Sequence, residues 1–451
     1  MTVLWLTAIL PQAKPPYCKY GVEKCESPNS SQLAFLFSSF VLMSIGAGGI
    51  RPCSLAFGAD QFNEVDTLKK EKILETFNWY YVSVGVAVML AVTVMVYIQN
   101  KAGWAVGFGV PVVLMLVSTL TFLLGSPLYI KAKAKSSLLT GFAQVIVAAW
   151  KNKHLAMPPQ KSDDWYYHKG SELIAPTDKL RFLNKACIIR NHGKDLDSDG
   201  LALDPWRLCT ITQVKELKAL IKVLPIWSTG ITIALTINQH SFGVLQAQTM
   251  NRHISKLTIP AASLIAFGIL SMAATVITHV QVIIPLLSKF TKRKRGLSLK
   301  ERMGIGLTLS CLGTAVSAIV ERKRRNTAIQ EGLSDSPLAH VNMSVMWLVP
   351  QHCINGMAEA FNAIGQIEFY YSEFPKSMSS IAMSLMSLGM GVGSLLGGLI
   401  VSIVKHVTGR GGSENWLSEN INKGHYDYYY WLLTILGVVN VFYYGGEIIQ
   451  M

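Results

Sequence analysis

Long apolar runs recur along the chain and are separated by shorter polar segments. Nine of these runs are long enough to cross the roughly 30 Å hydrocarbon core of a bilayer as helices. A shorter apolar run at residues 1–10 has neither the basic start nor the small-residue cleavage site of a signal peptide. The pattern predicts an all-α polytopic membrane protein, because helices satisfy their own backbone groups in lipid. The predicted spans cover roughly residues 33–57, 77–98, 104–130, 217–238, 258–287, 303–320, 343–370, 378–405 and 427–444.

One long hydrophilic segment, between Lys131 and Lys215, separates a short front group of spans from a back group of six. Its basic first residues place it in the cytoplasm by the positive-inside rule. We expect three parts: a partial front helix bundle at 1–133, a cytoplasmic linker with amphipathic helices at 134–215, and a six-helix bundle at 216–451.

Alternation of the spans from this linker predicts which loops face outward. The glycosylation sequons at Asn29 and Asn342 fall outside. Cys18 and Cys25 also fall outside, in one short polar loop where a disulfide could form in an oxidising compartment. The basic cluster at 321–325 falls outside as well, against the positive-inside rule.

Composition agrees with a membrane protein, since half of the residues are apolar and 15% are charged. The net charge of +14 would suit nucleic acid, but the basic residues lie in short clusters between apolar runs. We therefore expect a lipid bilayer and no nucleic acid as partner. The seven cysteines form no C-x-x-C pair, and an H-x4-D string at 192–197 lies in a polar acidic turn. We expect no metal site and no enzymatic activity.

A single arginine lies inside the first full span. Arg51 follows the small residues of 46–49, which allow another helix to approach closely. A charge in a membrane span is costly and usually faces a water-filled cavity or an acid. We interpret Arg51 as part of a functional path; the alternative is a side chain that extends to the nearer interface.

Five polar residues recur in the span at 343–370 at intervals of three and four, which places them on one helix face. Such a stripe lines an aqueous cavity or forms a hydrogen-bonded seam with other helices. Glu359 lies near the middle and is the natural counter-ion for Arg51. A carboxylate that pairs with an arginine in only one state can take up and release a proton. The five residues are His352, Asn355, Glu359, Asn362 and Gln366.

The span that starts at Leu217 contains Pro225 and Gly230 and ends in a polar run. Interrupted helices with polar groups near midspan are where transporters bind substrate. Its histidine is either a proton-responsive ligand or an ordinary residue at a helix end. With Asn355 and Asn362, the predicted substrate-binding residues are Asn238, Gln239, His240 and Ser241.

Six strings together resemble the plant nitrate/peptide transporter family, a branch of the proton-coupled oligopeptide transporters. No single string is specific, but six in the same order are. They are Gly46–Arg51, Phe57–Phe62, Phe77–Tyr81, Asp204–Thr210, Leu224–Trp227 and Phe369–Pro375.

The resemblance implies the major facilitator fold, with twelve helices in two bundles, and protons as coupling ion without a cofactor. Arg51 would be the basic residue of helix four and Glu359 the acid of helix ten, both in the proton-coupling and gating network. The family's E-x-x-E-R motif has no counterpart here. We therefore expect a chain that lacks roughly its first two and a half helices.

The expected function is proton-coupled symport of nitrate or a related small solute, such as di- or tripeptides, by alternating access. The expected location is the plasma membrane, with the vacuolar membrane as the alternative. A second hypothesis is a non-transporting truncated isoform or gene-model fragment of such a transporter, for example one that packs against full-length copies. A homo-oligomer is left open.

Overall fold

The protein is described from a computed structural model. The described residues are 1–16, 27–61, 83–130, 137–157, 165–168, 177–191, 195–197, 200–237, 239–254, 257–291, 296–337, 339–410 and 414–450. Cys18 and Cys25 lie outside these ranges, so their predicted disulfide stays a prediction.

Three helices are defined in the described residues of the front part, and a glycine interrupts the third. They are α1 (Thr2–Ile9), α2 (Ser30–Asp60) and α3 (Val96–Leu124). Helical residues 83–90 and the π turn Ala91–Met95 lead directly into α3. Gly103 has a φ of 84°, which L-residues rarely adopt, and it divides α3 into two helical pieces. The indole Nε1 of Trp5 donates to the carbonyl oxygen of Ala105 at 2.9 Å, which fastens α1 to the second piece.

The back part contains further helices and four short strands in its described residues. The helices are α5 (Ile211–Ile237), α6 (His240–Gln248), α7 (Ile265–Thr278), α8 (Ile284–Thr291), α9 (Leu299–Gln330), α10 (Val349–Glu373), α11 (Ser379–Thr408) and α12 (Tyr426–Gln450); α4 (Leu138–Lys151) precedes them. The π turn His279–Ile283 joins α7 to α8. Strand β1 (Met250–Asn251) pairs in parallel with β4 (Val341–Ser344), and β2 (His253–Ile254) pairs antiparallel with β3 (Leu257–Thr258).

Seven helices in the described part of the chain are long and apolar enough to cross a membrane. Residues 83–124 are counted as one candidate, but they form two helical pieces that meet at Gly103, between the predicted spans at 77–98 and 104–130. A Cβ on Gly107 would lie 3.1 Å from Cα of Gln99, so the chain turns sharply there. The predicted span at 343–370 corresponds to α10, which is not among the seven because polar residues interrupt its apolar surface. These two differences account for nine predicted spans against seven, and the all-α membrane class is confirmed.

The chain divides into two compact units. One contains residues 1–130, 229–366 and 387–451, and the other contains 131–228 and 367–386.

In the second unit, α4 buries Phe142, Val145 and Ala148 along one face, so the predicted amphipathic helix is present. The ammonium of Lys218, at the start of α5, donates to Asn184 Oδ1 at 2.6 Å and to the Thr177 carbonyl at 2.7 Å. The linker residues are thereby attached to α5 within this unit.

Glycines bring α7, α9 and α10 into backbone contact in the first unit. A Cβ on Gly356 of α10 would clash with the carbonyl oxygen of Gly268 in α7. A Cβ on Gly306 of α9 would lie 2.6 Å from Cβ of Asn362. Small residues at these crossings allow the close helix packing that is typical of membrane interiors.

We expect Gly356→Ala to destabilise the protein by about 1–3 kcal/mol, because the added methyl forces α7 and α10 apart. Thermal unfolding of detergent-purified protein measures the loss. Gly398→Ala on α11 is the matched control, because no heavy atom lies within 4 Å of the added Cβ. Equal stability of the two variants would show that the α7–α10 contact is not as close as described.

Candidate functional site

The C-terminal half of the α10 stripe forms hydrogen bonds between and within helices. Asn362 and Gln366 are 2% and 4% exposed. Nε2 of Gln366 donates to Asn362 Oδ1 at 2.9 Å, and Nδ2 of Asn362 donates to the carbonyl oxygen of Met303 in α9 at 3.2 Å. In this conformation these two amides connect α10 to α9, as the seam interpretation of the stripe describes.

The N-terminal half of the stripe borders a small polar cavity. His352 and Asn355 line it, together with Gln239, which lies directly before α6. The volume open to the centre of a water molecule is about 20 Å³, which holds about one water. The structure thus brings two predicted substrate residues, Gln239 and Asn355, to one cavity, and in this conformation a peptide does not fit there.

The polar run after α5 coincides with a break between helices. Pro225 and Gly230 are both inside α5, which continues to Ile237, and α6 begins at His240. Ser241 is exposed at the start of α6. Asn238 and the side chain of His240 lie outside the described part of the structure.

Glu359 lies midway along α10 and is half-buried. Among the described side chains it has no hydrogen-bond or ion-pair partner. Arg51 belongs to α2, and its side chain lies outside the described part. Both residues belong to the first compact unit, and their predicted pairing stays a prediction.

An ion pair that the sequence analysis missed lies at the end of α9. Glu321 and Arg324 are both fully buried. Nε and Nη2 of Arg324 donate to the two carboxylate oxygens of Glu321, each at 2.8 Å. The cluster at 321–325 was interpreted as an outer basic loop, but α9 continues through it to Gln330. The i, i+3 spacing of Glu321 and Arg324 on a helix was the signal that could have identified the pair.

Arg324 uses every guanidinium N–H that it has. Besides the two bonds to Glu321, Nη1 donates to Asn422 Oδ1 at 2.6 Å and to Thr249 Oγ1 at 3.1 Å, and Nη2 donates to the Ile421 carbonyl at 2.9 Å. Five donors therefore meet five acceptors. Because Arg324 is neutralised in the protein interior, it does not act as a loop charge, which weakens the apparent violation of the positive-inside rule.

Arg325 makes a second polar contact next to the ion pair. Its Nη2 lies 3.1 Å from Nε2 of His425, and since a guanidinium only donates, the imidazole nitrogen must accept. Burial and the Arg325 charge lower the pKa of His425, which favours the neutral ring. Asp427 acts in the opposite direction, with its carboxylate 3.6 Å from Nδ1.

The two buried thiols of the linker are poor nucleophiles near neutral pH. Burial raises the pKa of Cys187 and of Cys209 to about 12 in each case, so neither forms a thiolate near neutral pH. Among the described residues, no group of three or more His, Cys, Asp or Glu side chains could hold a metal ion.

We expect Arg324→Met to destabilise the protein by about 3–5 kcal/mol, because it leaves the Glu321 carboxylate buried without its partner. Arg322→Met removes an exposed arginine of the same helix and should change stability by less than about 0.5 kcal/mol. The double replacement Glu321→Leu with Arg324→Met should recover much of the loss. Thermal unfolding in detergent measures all three, and a double variant no more stable than Arg324→Met alone would contradict this account.

Comparisons with known proteins agree with the resemblance noted above. Residues 1–417 match the POT family. The chain is 53% identical to Protein NRT1/PTR FAMILY 1.2 of Arabidopsis thaliana, over 98% of this chain and 75% of that protein. It is 52% identical to Protein NRT1/PTR FAMILY 1.1 of the same plant, over 98% and 76%.

The fold is similar to that of a solved transporter. An auto-inhibited POT family peptide transporter superposes with a TM-score of 0.65 at 19% identity, covering 93% of this chain and 78% of the other. The predicted fold is confirmed by this similarity. The chain is an integral multi-pass membrane protein that belongs to the POT family of transporters.

Proposed function

We propose that the protein is a proton-coupled symporter of nitrate or a related small solute, such as di- or tripeptides. The observation that carries the proposal is Glu359, a carboxylate midway along α10 with no partner among the described side chains. A carboxylate inside a membrane span is costly unless it serves a path for ions or substrate. Membership of the POT family supports the same role.

In this proposal Arg51 and Glu359 form the gate. When they are paired, the arginine favours the ionised carboxylate; when they are separated, Glu359 takes up a proton. Alternating access then couples each proton to one turnover of the gate, without a cofactor. The three-part division of the chain at 1–133, 134–215 and 216–451 belongs to this proposal.

Substrate would bind where α5, α6 and α10 present polar groups. The cavity beside Gln239 and Asn355 holds about one water in this conformation. Binding therefore requires the helices to separate, as alternating access provides. Asn362 would have to release its bond to Met303 to reach a solute. The proposed binding residues are Asn238, Gln239, His240, Ser241, Asn355 and Asn362.

We expect uptake of nitrate or of a dipeptide into cells that express this chain to be faster at acidic than at neutral external pH. Glu359→Gln should make the two rates equal, because the amide cannot take up a proton. Labelled solute uptake, normalised to surface protein, measures the ratio.

Glu368→Gln is the matched control, since it removes the same charge from an exposed position of α10. It should keep the acidic stimulation. Uptake by Glu359→Gln that remains stimulated at acidic pH would exclude the proposed coupling. No uptake by the unaltered chain, despite normal surface expression, would favour the alternative of a non-transporting form.

Glycosylation tests the proposed sidedness. Asn342 is exposed on β4, and its backbone N–H donates to the carboxylate of Glu331 at 3.1 Å. Asn29 is exposed directly before α2. In plant or yeast membranes, Asn342→Gln and Asn29→Gln should each remove one glycosidase-sensitive gel shift. Glycosylation at neither residue would argue that these ends face the cytoplasm.

A further inference from the structure

The buried ion pair determines how a neighbouring amide is oriented. The carboxylate of Glu321 can only accept, so Gln246 of α6 must turn its Nε2 toward it, and the two atoms are 2.7 Å apart. The opposite atom, Gln246 Oε1, then faces Gln351 Nε2 and the hydroxyl of Tyr430, each at 3.4 Å. The charge of one residue thus sets the direction of a chain of hydrogen bonds.

The orientation of Gln246 in turn fixes the orientation of the amide of Gln351, the third residue of α10. Its Nε2 faces the acceptor on Gln246, so its Oε1 points the other way. Gln351 is 3% exposed, and Oε1 has no hydrogen-bond partner among the described residues. A buried carbonyl oxygen without a donor is costly and seldom tolerated.

Gln351 lines the small polar cavity described above, where nearby hydroxyl groups already use their protons. Ser317 Oγ donates to the Gly313 carbonyl at 2.9 Å, and Thr314 Oγ1 donates to the Cys311 carbonyl at 3.0 Å. Thr236 Oγ1 donates to the Ile233 carbonyl at 2.8 Å. These wall groups offer acceptors to the cavity while their donors are engaged elsewhere.

We propose that this cavity is a binding site for one water molecule, which donates a hydrogen bond to Gln351 Oε1. The open volume of about 20 Å³ admits one heavy atom, and Gln351 Oε1 together with the hydroxyl oxygens favours a ligand with more than one donor. Ammonium shares this chemistry and size. The inference rests on the contacts inside the first compact unit and is independent of the proposed symport.

The water extends the chain of hydrogen bonds from the ion pair to the polar face of α10. Glu321, Gln246 and Gln351 form the part seen directly. His352 and Asn355 border the same cavity from α10. The site would therefore connect the end of α9 with the N-terminal half of the α10 stripe.

Gly243 provides a way to fill the cavity without distorting it. A Cβ there would lie 3.6 Å from Cε1 of His352 and 3.9 Å from Nε2 of Gln351, which is ordinary van der Waals contact. Gly243→Ala should therefore exclude the water while keeping α6 intact. Gly398→Ala again supplies the control for the helix-stabilising effect of replacing glycine by alanine.

The direct test is a high-resolution map of the unaltered chain in sodium chloride. We expect a solvent peak within about 3.2 Å of Gln351 Oε1, and its absence in Gly243→Ala. A cavity without density in the unaltered chain would overturn the proposal.

A double-mutant cycle tests the same site in solution. Gly398→Ala should raise the melting temperature, and Gly243→Ala should not, because it leaves Gln351 Oε1 without a donor. In a Gln351→Met background that acceptor is gone, so Gly243→Ala should then raise the melting temperature as the control does. A rise in both backgrounds would contradict the site.

Ammonium is distinguished from water by salt exchange. The melting temperature should be the same in ammonium chloride and in sodium chloride at equal ionic strength. Stabilisation by ammonium that Gly243→Ala abolishes would show that the occupant is ammonium and would overturn the water assignment.

Discussion

The bidentate bond between Glu321 and Arg324 is the contact on which one end of the back helices depends. Two charges removed from water are stable only when every remaining donor and acceptor is satisfied. The remaining N–H groups of Arg324 donate to Thr249, Asn422 and the Ile421 carbonyl. The carboxylate of Glu321 accepts a further hydrogen bond from Gln246. Because these partners come from α6, from Thr249 directly after it and from the segment before α12, one ion pair on α9 fixes the relative positions of several elements.

Much of the fold could be predicted from the sequence, because lipid allows little besides long helices. The polar stripe of α10 was also predictable, since its residues recur at helical spacing. The sharp turn at Gly103 also lies between the predicted spans at 77–98 and 104–130, close to the turn expected at 99–101. The role of Arg324 was not predicted. Arg324 looked like a loop charge because its partners Thr249 and Asn422 are 75 and 98 residues away in sequence.

In the candidate site, too, spacing along the chain predicted which residues share a helix face but not which other helix each one contacts. Spacing within α10 identified His352, Asn355, Glu359, Asn362 and Gln366 as one face. It could not tell which of them another helix would engage. Asn362 bonds to α9, whereas Asn355 borders a cavity shared with Gln239. Glycines of α9 lie against both side chains, Gly306 at Asn362 and Gly313 at Asn355. Which amide finds a partner therefore depends on the three-dimensional arrangement.

The contact between Gly268 and Gly356 limits how this part of the protein can deform. With no side chain between α7 and α10, the two backbones have no intervening layer that could rearrange when one helix tilts against the other. Any tilt of α10 therefore carries α7 with it. The strain of such a motion falls on the irregular backbone at the two ends of α7, the 3-10 turn Ala261–Leu264 and the π turn His279–Ile283, where the regular helical hydrogen-bond ladder is already interrupted.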